Sequence, residues 1–108
     1  MKISRYRRNH SVDKANGEYK VKTLLSKKNI GVYMTTINRV VREHYHPSSD
    51  EVFIFITKAK MTINGTIYRF NPKDVVYLGK KDKHKIWGKG AMLFAIKIPN
   101  SKGKVITE

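Results

Sequence analysis

No cysteine occurs in this 108-residue chain, so neither disulfides nor thiol chemistry hold or run it, and the redox compartment stays open. No apolar run approaches the roughly 18 residues of a membrane-spanning helix. The basic opening MKISRYRRNHSVDK has no hydrophobic segment behind it, which a signal peptide requires. The expectation is a cytoplasmic protein without a membrane partner. Glutamine is also missing, and acidic residues are scarce, 8 against 23 Lys and Arg, for a net charge of +15. Such an excess implies anionic partners: nucleic acid, a membrane surface, or a small phosphorylated or carboxylated ligand. The competing explanation is a lysine-rich proteome, as in many thermophiles.

What is present suits one small β domain. An apolar share of 40% supports a modest core. A domain this small has little stability to spare, which favours a homodimer. Residues 1–29 are polar and basic, with Asn16-Gly17 as a turn signal, and read as an arm or irregular lead-in. From Ile30 the chain reads β almost throughout: IGVYMTTINRVV, EVFIFIT (51–57), two short runs around Asn64-Gly65, DVVYL (74–78) and AMLFAIKI (91–98). Asn-Gly between alternating apolar runs is the strongest short-range hairpin signal. No segment keeps a helical apolar period, so helices should be few or none. Short strands punctuated by turns imply a sandwich or small barrel. In the last run Met92, Phe94, Ile96 and Ile98 alternate and are read as core.

The stretch HYHPSSDE (44–51) concentrates ionisable groups. On a strand, side chains at i and i+2 leave from the same face, so His44 and His46 point together with Tyr45 opposite. Glu51 opens the next apolar run after a short turn, within reach on a neighbouring strand. His84, in GKKDKHKIW, is a fourth member. Three imidazoles and a carboxylate form a mixed nitrogen–oxygen set suited to a divalent first-row transition metal, with positions left over for water or substrate. Taken bare, a His-x-His pair is more often two satisfied or solvent-facing histidines. Asp50 is read as a turn residue, Trp87 as a rim aromatic, and His10 as solvated.

The order His-x-His, then Glu, then a later His resembles the two motifs of the cupin superfamily: His44, His46 and Glu51 match the first and His84 the second. The turn residues depart from that pattern. Asn38, Lys58, Lys73 and Lys81 stand where the family has glycine, Gly79 where it has proline, and Gly88 where it has asparagine. Lysine at a positive φ costs about 1 kcal/mol or more, whereas asparagine tolerates that region.

The resemblance implies an all-β double-stranded β-helix, a jelly-roll barrel over residues 20–100, between a basic arm (1–19) and a tail (101–108). It implies one divalent metal (Mn, Fe, Ni, Co or Zn) on His44, His46, Glu51 and His84. The implied activity is that of a metal-dependent isomerase, epimerase or dioxygenase. Phe53 and Phe55 share the parity of Glu51 and are expected to line the interior. Lys81 and Lys83 flank His84 and are expected to draw a small anionic substrate, a sugar phosphate or carboxylate, to the mouth. Val52, Ile54 and Ile56 point the other way, as a packing layer or dimer face. Two alternatives stand beside this reading: a metal-free ligand-binding or structural cupin, and a basic nucleic-acid-binding module. The second lacks an RNA-binding aromatic signature, and its charge is spread along the chain.

Overall fold

A computed structural model describes residues 1–108 and contains eleven strands with a single short 3-10 turn at Tyr6–Arg8. In chain order the strands are β1 (Ser11–Lys14), β2 (Tyr19–Ser26), β3 (Gly31–Ile37), β4 (Val41–Tyr45), β5 (Asp50–Phe55) and β6 (Ala59–Ile63). They continue as β7 (Thr66–Phe70), β8 (Val75–Leu78), β9 (His84–Trp87), β10 (Met92–Ile98) and β11 (Val105–Ile106). A six-stranded sheet runs β1-β2-β3-β10-β5-β8, and a five-stranded sheet runs β11-β4-β9-β6-β7. All pairings are antiparallel. The sheets pack face to face over one core in which Ile37, Phe55, Met61, Leu78 and Leu93 are almost wholly enclosed. The expected jelly roll is therefore present as two facing sheets rather than a closed cylinder. No helix is long and apolar enough to cross a membrane.

Local signals carry the turns. Asn64 and Gly65 both have positive φ, 49° and 85°, and close the β6–β7 hairpin with Ile63 opposite Thr66, the geometry that suits the twist of the flanking strands. Of the positions where lysine or asparagine replaces a family glycine, only Lys73 keeps a positive φ, 76°. Its amide donates to the Phe55 carbonyl at 2.7 Å, which holds the turn. At Asn38, Lys58 and Lys81 the backbone takes ordinary conformations instead.

Two expectations need correction. The lead-in is not irregular: β1 and β2 form a hairpin, and β2 joins β3 at the heart of the six-stranded sheet. Part-buried Tyr19 and buried Val21 flank exposed Lys20, a core-facing pair hidden by the high lysine content. Sheet pairing thus extends into the arm through Ser11–Lys14 and into the tail through Val105–Ile106. In β10, Leu93 and Ala95 face the core, while Met92, Phe94 and Ile96 are only partly covered and Ile98 is exposed. Both faces of β10 are apolar, so alternation alone leaves its orientation open. The register of Leu93 opposite Phe55 and Ala95 opposite Phe53 decides it.

Candidate metal centre

The four residues of the motif meet between the two sheets. His44 on β4 is the direct cross-strand partner of His84 on β9. His46 follows just past the end of β4. Glu51 reaches the same point from β5 in the opposite sheet. All four are buried, with exposures of 5% for His44, 9% for His46, 5% for Glu51 and 1% for His84. One nitrogen from each histidine lies within 4.8 Å of those of the other two.

Backbone carbonyls settle which nitrogen that is. His44 Nδ1 lies 2.7 Å from the Arg42 carbonyl, His84 Nδ1 2.9 Å from that of Asp82, and His46 Nδ1 3.3 Å from that of Gly103. A carbonyl only accepts, so each Nδ1 carries a proton and donates, and each ring turns its Nε2 toward the centre. Glu51 Oε1 is 2.9 Å from His46 Nε2 and 3.5 Å from His84 Nε2. Both Glu51 Oε1 and His84 Nε2 are enclosed, and His84 Nε2 has no hydrogen-bond partner. Burial pushes His44 down to about 3, with His84 as a like neighbour adding to the effect. Burial likewise lowers His84. At Glu51 burial acts upward, but the His46 contact and the surrounding imidazoles outweigh it and hold the carboxyl below its usual range. The centre thus gathers three ring nitrogens around an ionised carboxylate, with His44 and His84 held neutral by burial. A divalent ion fits that donor set, and ring nitrogens anchored from behind are the usual support for metal-binding histidines.

The group opens onto a cavity of about 500 Å³. His44, His46 and Glu51 are in its wall, and the enclosed His84 is not. Phe53 lines the cavity and packs edge-on to the His84 ring, centroids 5.8 Å apart. Phe55 does not line it: its ring stacks on Phe70 at 4.4 Å in the core. Lys81 and Lys83 also lie outside the lining and are exposed. Asp82 bends that loop by accepting from the Gly79 amide at 2.8 Å and the Asn64 side chain at 2.9 Å, while the Lys83 amide donates to Asn64 at 3.0 Å. The lysines that do line the cavity are Lys14, Lys97, Lys102 and Lys104. Asp50 is engaged by the Tyr77 hydroxyl rather than the centre.

Sequence reasoning also passed over Glu18. It is buried at 3% exposure, accepting from the Arg42 amide at 2.8 Å and Nε at 2.9 Å, and so ties β2 to the strand that bears His44. A lone acid in a lysine-rich stretch is the only signal the sequence holds for it.

No family model matches the chain, and no curated protein matches it. Solved structures do. KdgF from Halomonas sp. superposes with a TM-score of 0.85 at 12% identity, covering 94% of this chain and 96% of that one. Streptomyces Pac13, a nucleoside dehydratase, gives 0.83 at 9% identity over 99% and 91% of the two chains, and variants of it have been captured with uridine. A double-stranded β-helix protein from Klebsiella pneumoniae gives 0.75 at 18% identity over 90% of each chain. The fold is the cupin fold.

Proposed function

We propose that this protein is a metal-dependent cupin acting on a small anionic molecule in the cavity between its sheets. His44, His46 and His84 through Nε2, and Glu51 through Oε1, would hold one divalent first-row transition ion. The observation that carries the reading is the convergence of three ring Nε2 atoms and Glu51 Oε1 in the interior, with His84 Nε2 enclosed and lacking any hydrogen-bond partner. Gathering such acceptors in a dry interior is costly unless a cation joins them. When bound, the ion supplies Lewis acidity toward a carbonyl or enediolate, or a site for oxygen. That chemistry belongs to isomerase, epimerase or dioxygenase reactions, and the fold does not choose among them. The protein's own part is to fix the rings through their Nδ1 contacts, to keep the carboxylate ionised, and to exclude water with Phe53, Val41 and Ile86. Small molecules held by structural neighbours, uridine in Pac13, support a ligand of that size.

A second copy of the chain is the partner this reading takes, through the apolar outer face of β5 and β10. One observation favours a metal-free variant: the 2.9 Å approach of His46 Nε2 to Glu51 Oε1, where a shared proton would serve in place of a metal. Elemental analysis of protein purified without a metal-affinity tag separates the two. About one transition-metal ion per chain is expected, lost in His84→Ala. Metal-free protein that cannot be loaded, or full occupancy in His84→Ala, would overturn the metal reading.

A further inference from the structure

The cavity holds charged groups that the metal centre does not use. Lys97 lies on β10 opposite Glu51 on one side and Gly31 on the other. Direct cross-strand partners share a face, so its side chain enters the interior beside the centre. Its ammonium group donates to the Ser101 carbonyl at 2.7 Å. Lys104, in the C-terminal segment, donates to the Tyr19 hydroxyl at 3.3 Å and lies 5.1 Å from the centre of that ring. Both lysines line the cavity, both are part-buried, and neither is paired with a carboxylate.

We propose that Lys97 and Lys104 form an anion-binding subsite inside the cavity, which holds the carboxylate or phosphate of a ligand whose other end reaches the His44–His46–Glu51 wall. This deepens the proposed function and rests on it for the metal end alone. The driving force is electrostatic. Two ammonium groups share one concave, partly desolvated space, and their bonds run to neutral oxygens. Glu51 and Glu18 act on these lysines only from beyond ion-pair distance, and the rest of the desolvation cost is what a bound anion lowers. Burial, the leading cause, pushes both lysines below their ordinary range against the upward pull of Glu51 on both and of Glu18 on Lys104, and Lys104 also feels Arg42 and Lys97 as like charges. Glu51, the carboxylate nearest along the ladder, is engaged by His46 instead. The exposed Lys14 and Lys102 at the rim extend the positive field outward and steer an anion in.

Shape narrows the class. A cavity of about 500 Å³ takes a compound of monosaccharide to nucleoside size. Tyr19, Tyr33, Phe53 and Leu93 supply ring and carbon surface between the two ends. The Tyr33 hydroxyl, bonded to Asn100 at 2.5 Å, adds a polar contact on the Lys97 side. The lysines point into a concavity rather than along a ridge, which suits a small anion and not a polynucleotide.

The test is calorimetric binding of glucose 6-phosphate, gluconate and neutral glucose to the full-length, metal-loaded protein, with metal content measured on every sample. The anions are expected to bind, and glucose about tenfold or more weaker, as loss of a charged contact predicts. Gluconate against glucose 6-phosphate tells whether the anion is carboxylate or phosphate. Lys97→Gln and Lys104→Gln should each weaken anion binding about tenfold, Lys97→Arg should restore most of it, and a Lys81→Gln, Lys83→Gln pair should change nothing. Equal binding of anions and glucose, or indifference of anion affinity to both Lys97→Gln and Lys104→Gln in folded protein, overturns the subsite. So does a short RNA that binds more tightly than the sugars and depends on the same two lysines. If anions bind with this lysine dependence to protein that holds no metal, the subsite stands and the metal reading falls. If metal is present and anions do not bind, the reverse holds.

Discussion

His46 Nδ1 lies 3.3 Å from the carbonyl oxygen of Gly103, a contact across 57 residues that ties the metal centre to the C-terminal segment. The segment is anchored beyond that point. Val105 and Ile106 pair with Tyr45 and His44, the Thr107 amide donates to the Glu43 carbonyl at 3.0 Å, and Glu108 takes Lys85 at 2.8 Å. The last residues of the chain thus brace the β4 strand that carries the first motif.

Removing residues 102–108 should therefore weaken metal binding. His46 loses the acceptor that orients its ring, and loss of such a partner costs about 10–100-fold in metal affinity. Competition titration with a chelating dye measures it. Unchanged affinity in a folded, truncated protein would show that His46 needs no brace.

Stability of the metal-stripped protein should fall as pH drops. His44 has a folded value of about 3 against an ordinary 6.5, so between those values the unfolded chain binds the additional proton. Its contribution is fully present above 6.5 and is lost progressively as pH falls toward 3. By pH ~5 the loss from this group is about 2 kcal/mol. Denaturant melts at pH 7 and pH 5 measure the slope, and His44→Gln should flatten it. An equal slope in His44→Gln places the proton elsewhere.

Lys73→Gly should stabilise the protein, an uncommon direction for a glycine substitution. Lys73 sits at φ 76°, where a side chain costs about 1–2 kcal/mol. The added freedom of the unfolded chain takes back about 0.4–1 kcal/mol. A net gain near 0.5–1 kcal/mol is expected in chemical denaturation. A loss of stability would mean that the Lys73 side chain makes contributions larger than its strain.

Ile54→Glu should leave the chain monomeric in sedimentation. Ile54 stands opposite Phe94 on the outer face of the six-stranded sheet, with Val52 opposite Ile96 beside them, and Val75 and Tyr77 are 60% and 61% exposed at its edge. A charge at the centre of a buried apolar contact costs several kcal/mol. Wild-type protein that is monomeric at micromolar concentration would end the dimer reading, and a dimer that survives the substitution would move its interface elsewhere.

Much of this was legible in the sequence, because it depends on short-range geometry. Strand parity alone sends His44 and His46 to one side. Asn64-Gly65 dictates its hairpin through the φ values those residues tolerate, and the β-branched runs mark the strands. What required tertiary structure was every choice between equivalent local alternatives. Strand β10 is apolar on both faces, and only its register against Phe53 and Phe55 turned Leu93 and Ala95 to the core and Lys97 into the cavity. The loop lysines 81 and 83 stood next to His84 in sequence, yet a turn held by Asp82 keeps them out of the cavity lining. Gly103 carries no local mark of its bond to His46, and Glu18, though a lone acid among lysines, does not announce Arg42 as its partner. Periodicity and turn chemistry act within a few residues. Pairing between distant strands is decided by which faces can be buried together, a property of the whole chain.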